Sequence, residues 1–178
     1  DDDVVASADW VERVVAPFAD PAVAAVTGNV LPMELHTASQ RHFEKYGGLG
    51  RGFERRRFTP EWFRGTRGRA VPTWEIGATA NAAFRAAIFR DGRIGLLDER
   101  LGAGMPAGVG EDTYLFYRIL KAGFSISYEP GAWVWHRHRR DAAALRRQLW
   151  AYSAGHVAYH LVTWLDEGDR RGLSQLFG

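Results

Sequence analysis

The feature that most constrains this chain is the alternation of β-rich apolar runs with segments of helical period. Residues 23–31 (VAAVTGNVL) form a β-rich run stopped by Pro32, and before it residues 9–18 read as a short helix. That helix carries Val11, Val14 and Val15 on one face and ends at the Asp20-Pro21 turn. Residues 33–46 fit a helix, residues 74–81 (WEIGATAN) a strand, and residues 82–89 a helix ending before Asp91-Gly92. Residues 113–121 place Leu115, Phe116, Ile119 and Leu120 in a core and stop at Gly123. Short strands are expected over residues 124–128 and 132–138, around the turn Glu129-Pro130-Gly131. Asp141 then caps a long helix through about residue 165. Strand and helix in alternation define an α/β class, which places ligands at strand ends and in loops.

With 178 residues, 46% hydrophobic and 25% charged, the chain has the composition of one ordinary globular domain. Its net charge of +2 is small but unevenly placed. Residues 41–74 hold nine Lys/Arg against three Glu, and a second basic run spans residues 137–147. Such patches suit a phosphate-bearing ligand, an anionic membrane surface or nucleic acid. Zero cysteines exclude a disulfide framework and a thiolate metal site, and agree with a reducing, cytoplasmic setting. No stretch approaches the ~20 apolar residues of a membrane span. Asp1-Asp2-Asp3 followed by Val4-Val5 reads as the end of a buried strand, so the chain reads as a piece of a longer protein. Residues 47–69, rich in Gly, Arg and aromatics with weak periodicity, read as a long mobile segment.

Three constellations carry chemistry. Asp1 and Asp3 share one face of an extended chain and offer hard oxygen donors suited to Mg²⁺ or Mn²⁺; a solvated acidic terminus is the other reading. In residues 132–138, Ala132, Val134, His136 and His138 fall on one face, with Trp133, Trp135 and Arg137 on the other. The two imidazoles are candidate metal ligands, and Arg137, Arg139 and Arg140 crowd the same strand end, where guanidinium forks suit phosphate oxygens. Gly110-Glu111-Asp112 opens a helix, where an acidic residue is either a cap or a general base aimed at a hydroxyl. The low bulk of residues 77–81, ending at Asn81, lets something lie against them. Trp62, Trp74, Trp133 and Trp135 are candidate platforms for sugar rings or simply core.

As an ordered set, DDDVVASADW, VTGNVLP, IGATANAAFR, LLDERLGAG, GEDTYLFYRILKAGF and YEPGAWVWHRHRR resemble glycosyltransferase family 2, the inverting family of the GT-A fold. The resemblance covers residues 1 to about 140 and implies a partial GT-A fold: a mixed sheet with flanking helices, lacking the N-terminal nucleotide-binding half. It implies a metal- and acceptor-binding half in residues 1–140 and a helical extension in residues 141–178. The implied reaction transfers a sugar from a nucleoside-diphosphate sugar to an acceptor hydroxyl with inversion. Carried over by motif, Asp1, Asp3 and His136 hold Mn²⁺ or Mg²⁺, with His138 as the alternative to His136. Asp112 is the general base with Glu111 beside it, and Arg139 and Arg140 meet the donor diphosphate. Asn81, Trp74 and Gly110 line the acceptor site. The implied acceptor is a glycan or a lipid-linked molecule, as in cell-envelope polysaccharide synthesis, with no nucleic acid partner.

The helix of residues 141–165 admits two readings. Its Leu145, Leu149, Tyr152, His156 and Tyr159 could pack on the catalytic domain, or its wide apolar face could dock on the cytoplasmic face of a membrane. Two rivals stand beside the transferase: a nucleic-acid-binding module using residues 47–74, and an inactive fragment or homologue.

Overall fold

A computed structural model describes residues 3–66 and 69–177. Among the described residues five strands form one mixed sheet: β1 (Val4–Ala6), β2 (Val23–Pro32), β3 (Arg56–Phe58), β4 (Ala82–Phe84) and β5 (Ser125–His136). The order is β1-β5-β2-β4, and β3 also pairs with β5. Among the described residues only the β2–β5 pair is parallel. Because β2 covers one edge of β5, β3 and β1 share the other edge in succession, on residues 126–128 and 134–136. The α/β class and the mixed sheet with flanking helices are as expected.

β2 runs through the centre, so its residues 23–30 are buried without alternation, as in a strand covered on both faces. The larger core joins Ala24, Ala25, Ile126 and Tyr128 to Leu115, Phe116, Ile119 and Leu120 of helix α4 (Glu111–Lys121). A smaller core on the other side joins Val23, Val26 and Ala132 to Val14 of helix α1 (Trp10–Val15). Val11 and Val15 are exposed, contrary to the expected three-valine face. The inward stripe runs instead through Trp10, Val14 and Phe18, spaced four apart, which leaves Val11 and Val15 to one side.

One continuous strand, Ser125–His136, stands where two short ones were expected. Its register with β2 jumps from Gly28↔Glu129 to Val30↔Val134, so Glu129-Pro130-Gly131 is absorbed as a bulge inside β5. Asn81 stitches that bulge: its Nδ2 donates to Asn29 O and Ala132 O, both at 2.8 Å, and Trp10 Nε1 donates to its Oδ1 at 2.8 Å. Gly28 makes room, since a Cβ there would stand 1.9 Å from Ala132 O.

The strand expected over residues 74–81 is replaced by two 3-10 turns, Thr73–Glu75 and Thr79–Asn81. The low bulk of this segment has its cause in β2. Gly77, at φ 148°, presses on Thr27, whose side chain a Cβ would meet at 2.7 Å. Thr27 Oγ1 donates to Ile76 O at 2.7 Å beside it. The helix expected over residues 82–89 is β4 followed by a 3-10 turn, because β2 offers an edge that pairs with Ala82, Ala83 and Phe84.

Residues 47–66 are tied down rather than loose. They contain β3 and helix α3 (Pro60–Gly65), Tyr128 donates to Gly52 O at 2.7 Å, and Arg55 Nε donates to Glu129 at 2.7 Å. Helix α2 (Ala38–Tyr46) starts at a reciprocal capping box between Thr37 and Gln40. Helix α5 (Ala142–Glu167) starts where Asp141 accepts from Ala144 N–H at 2.7 Å, and ends at Gly168 in the left-handed region. A short helix, α6 (Ser174–Phe177), follows. The face of α5 bearing Leu145, Tyr159 and Thr163 is buried, and Tyr159 donates to Val71 O at 2.8 Å. Its opposite face leaves Trp150 76% and Leu165 68% exposed, with Val157 and Leu161 also open. Among the described residues no helix is long and apolar enough to cross a membrane.

Candidate active site

Five stretches distant in sequence wall one cavity of about 860 Å³. The β5 end contributes His136 and Arg139, the α4 start contributes residues 109–113, and α5 contributes Tyr152 and His156. Trp74 with residues 77–80, and residues 46–51, complete it.

At the α4 start Asp112 does not occupy the cap position. Gly110, at φ 124°, occupies the cap, and no side chain caps the helix. Asp112 therefore stands inside the first turn, at the positive end of the helix dipole. Its Oδ1 accepts from Thr113 N–H at 2.7 Å and Thr113 Oγ1 at 3.2 Å, and its Oδ2 accepts from Thr79 N–H at 3.3 Å. Glu111 beside it has Oε2 buried without a partner. Burial pushes the Glu111 carboxyl above its ordinary range, and the Asp112 charge adds to that rise.

His136, on the cavity wall, has its Nε2 3.5 Å from Asp3 Oδ1. Asp1 lies outside the described residues. His136 Nδ1 is 3.1 Å from His138 Nδ1, and His138 Nε2 is 2.7 Å from Glu44 Oε1. A carboxylate can only accept, so His138 donates through Nε2–H and receives at Nδ1 from His136. A neutral His136 then turns a bare Nε2 lone pair toward Asp3. Burial, ahead of the opposing pull of the Asp3 charge, lowers the proton affinity of His136. Two electron-rich atoms facing each other with no proton between them are donor chemistry for a cation. Asp3 and His136 thus fit two places in a divalent ion's shell, although no group of three or more His, Asp or Glu converges among the described residues. His136, not His138, faces the cavity.

Two expected residues lie elsewhere. Asn81 is only 2% exposed, outside the cavity wall, with its amide spent on the β5 bulge. Arg140 also points away from the cavity and holds Glu34 at 2.6 and 2.8 Å. That guanidinium holds the Glu34 carboxyl down to about 2. Arg139 lines the cavity and makes no ion pair among the described residues. Trp74 lines it as well, packed edge-on against His156 with ring centroids 4.6 Å apart. The wall also holds Arg51, which carries no recognisable motif. Its Nε and Nη2 donate to Trp74 O at 3.3 and 3.0 Å, and its Nη1 donates to Gly50 O at 2.9 Å. Tyr152 and His156, expected only as an apolar helix face, line the cavity too.

The basic stretch of residues 41–74 is largely consumed within the fold. Arg55 pairs with Glu129, Arg57 with Asp20 and Arg64 with Glu61, while Arg41 Nη1 donates to both Leu35 O and His36 O. What remains on the cavity wall is the carboxylate pair at the α4 start with His136, Arg139 and Arg51, and Asp3 stands next to His136.

Residues 1–154 match the family model described as glycosyltransferase-like family 2. The chain belongs to that family. It is 29% identical over 135 residues to the succinoglycan biosynthesis protein ExoM of Rhizobium meliloti, a match covering 75% of this chain and 37% of that protein. It is also 29% identical over 164 residues to the pre-mycofactocin glycosyltransferase of Mycobacterium tuberculosis, covering 89% of this chain and 30% of that one. The chain thus spans about a third of the length of these family relatives.

Proposed function

We propose that the chain forms the diphosphate- and acceptor-binding part of an inverting glycosyltransferase that moves a sugar from a nucleoside-diphosphate sugar to an acceptor hydroxyl. One observation carries this reading: Asp112 opens on the same cavity as His136 and Arg139. A general base and a diphosphate-binding wall are what displacement at an anomeric carbon needs on its two sides. Asp112 takes the acceptor proton while the acceptor oxygen attacks the face opposite the leaving diphosphate. Arg139 offers its free guanidinium to the diphosphate oxygens. Asp3 and His136 would hold Mn²⁺ or Mg²⁺, which when bound neutralises charge on the leaving group. Glu111 and Trp74 shape the acceptor end, where the indole supports a sugar ring.

The outer face of α5 supports a second element of this reading. Trp150, Val157, Leu161 and Leu165 are exposed along one side, Arg146 and Arg147 are exposed at its start, and Val157 also lines the cavity. This stripe suits shallow docking on the cytoplasmic face of a membrane, with a lipid-linked acceptor entering beside it. Trp150→Glu in the whole protein then lowers cosedimentation with anionic vesicles, and unchanged cosedimentation removes this element.

The transfer itself is tested by offering the whole protein a panel of nucleoside-diphosphate sugars with Mn²⁺ or Mg²⁺ and a glycoside acceptor. The anomeric configuration of the product is read by NMR. Transfer with inversion is expected; a retained configuration, or no transfer with any donor, refutes the proposal.

A further inference from the structure

Helix α5 meets the α4 start where two glycines face each other. A Cβ on Gly155 would stand 2.3 Å from Val109 O, and one on Gly110 3.3 Å from Gly155 O. This close approach seats the next residue of α5, His156, on the same cavity wall as Glu111 and Asp112. The mechanism above gives His156 no part.

Its ring is held from two sides. Trp74 packs edge-on against it, and its Nε2 lies 3.1 Å from Nε2 of His160, one turn along the helix. His160 is 1% exposed, and its Nδ1 is buried without a partner. Two neutral imidazoles that share one N···N contact divide the donor and acceptor roles between them. A buried N–H with no acceptor is the costlier orphan, so the unpartnered Nδ1 of His160 is the bare nitrogen and its proton sits on Nε2. His160 therefore donates to His156, and His156 carries its own proton on Nδ1. That Nδ1 has no hydrogen-bond partner among the described residues and is not among their buried unpartnered atoms, so it is open to solvent on a residue that lines the cavity.

We propose that His156 is an acceptor-binding residue, whose Nδ1–H donates to the same oxygen whose proton Asp112 receives. The proposal rests on the transferase reading above. A hydroxyl satisfies both groups, since it accepts one hydrogen bond and donates another. A carboxylate or phosphate oxygen brings no proton for Asp112, and an ammonium brings no lone pair for the imidazole. The pair thus selects an alcohol. Burial opposes protonation of both rings and pulls His160 down to about 4, with the His156 ring adding to that fall. A neutral donor orients the hydroxyl without placing a full positive charge beside the base, which would weaken it as a proton acceptor.

The test uses the whole protein, ¹⁵N-labelled at histidine, and two variants that split the ring's nitrogens. An asparagine amide N–H falls near the position of Nδ1, and a glutamine amide near Nε2. Long-range ¹H–¹⁵N spectra at neutral pH are expected to show His156 as the Nδ1–H form and His160 as the Nε2–H form. The opposite pattern overturns the proposal. With octyl β-glucoside as acceptor, His156→Gln is expected to raise the acceptor KM by about 3- to 10-fold, the effect of one neutral hydrogen bond. His156→Asn recovers most of that loss, and the donor KM stays level in both. An acceptor KM equal in parent and His156→Gln, with the parent active, overturns the role of His156 alone. A parent inactive with every donor removes the transferase reading and this proposal with it.

Discussion

Asp112→Asn separates proton acceptance from helix support, and the contacts of Asp112 set the size of each effect. An asparagine Oδ1 still accepts from Thr113 N–H, now at 2.7 Å, but its amide nitrogen cannot accept from Thr79 N–H, now at 3.3 Å from Oδ2. Losing that long hydrogen bond costs about 0.5–1 kcal/mol. Removing a negative charge from the first turn of α4 costs a further ~0.3–1 kcal/mol. The whole protein should therefore lose roughly 1–2 kcal/mol, a fall of about 2–8 °C in melting temperature for a domain of this size. Transfer should fall far more, by ~10²–10⁴-fold, because an amide cannot take the acceptor's proton. Initial rates with saturating donor, beside thermal melting of the same preparations, measure both. A variant that melts as expected and transfers within about tenfold of the parent, below the range expected for a lost general base, refutes Asp112 as the base. Glu111, the other carboxylate on that wall, then becomes the group to replace.

Other consequences are open to measurement. Asp3→Ala should abolish Mn²⁺ binding by the whole protein, read by electron paramagnetic resonance, and His136→Ala should weaken it less because a neutral ligand is lost; unchanged binding in both removes the cation site. Gly155→Ala should destabilise by about 1–3 kcal/mol, since its Cβ would stand 2.3 Å from Val109 O and the helix must back away. An unaltered melting temperature shows that α5 is not seated by that contact. Acid should weaken the fold through His160, whose pKa falls from 6.5 to about 4 on folding. Between those values the unfolded chain binds the extra proton, so stability is lost as pH falls through that window, by roughly 1–3 kcal/mol. Urea titrations at pH 7 and pH 5 on parent and His160→Gln check it, and equal losses in both proteins exclude His160 as the source.

The parts of the fold legible in the sequence are those where one local pattern meets one environment. Residues 132–138 alternate because one face of β5 is covered: Ala132, Val134, His136 and His138 are buried while Trp135, Arg137 and Arg139 are exposed. The α4 core positions and the Asp141 cap are legible for the same reason. Residues 82–84 are not, because alanine's helical preference yields to an open edge of β2 that local sequence does not reveal. Arg140 sits in a run of basic residues that suggests phosphate, yet Glu34, far along the chain, claims it. Asn81 looks like a polar group at a strand end, but its amide answers carbonyls set free by a bulge in another strand. Arg51 and His156 belong to the cavity only through packing, and neither carries a motif that would mark it.

The parallel β2–β5 pair has a kinetic consequence. Val23 meets Ser125 and Pro32 meets His136, so the central ladder joins positions about a hundred residues apart, and almost every wall of the cavity is threaded between or beyond them. Such non-local pairing pays its loop-closure entropy before any contact rewards it, and so forms slowly. No local piece of the chain can assemble the cavity ahead of that ladder. Recovery of ligand binding during refolding should then track the slowest step of sheet formation, even though α4 and α5 can gain helix early.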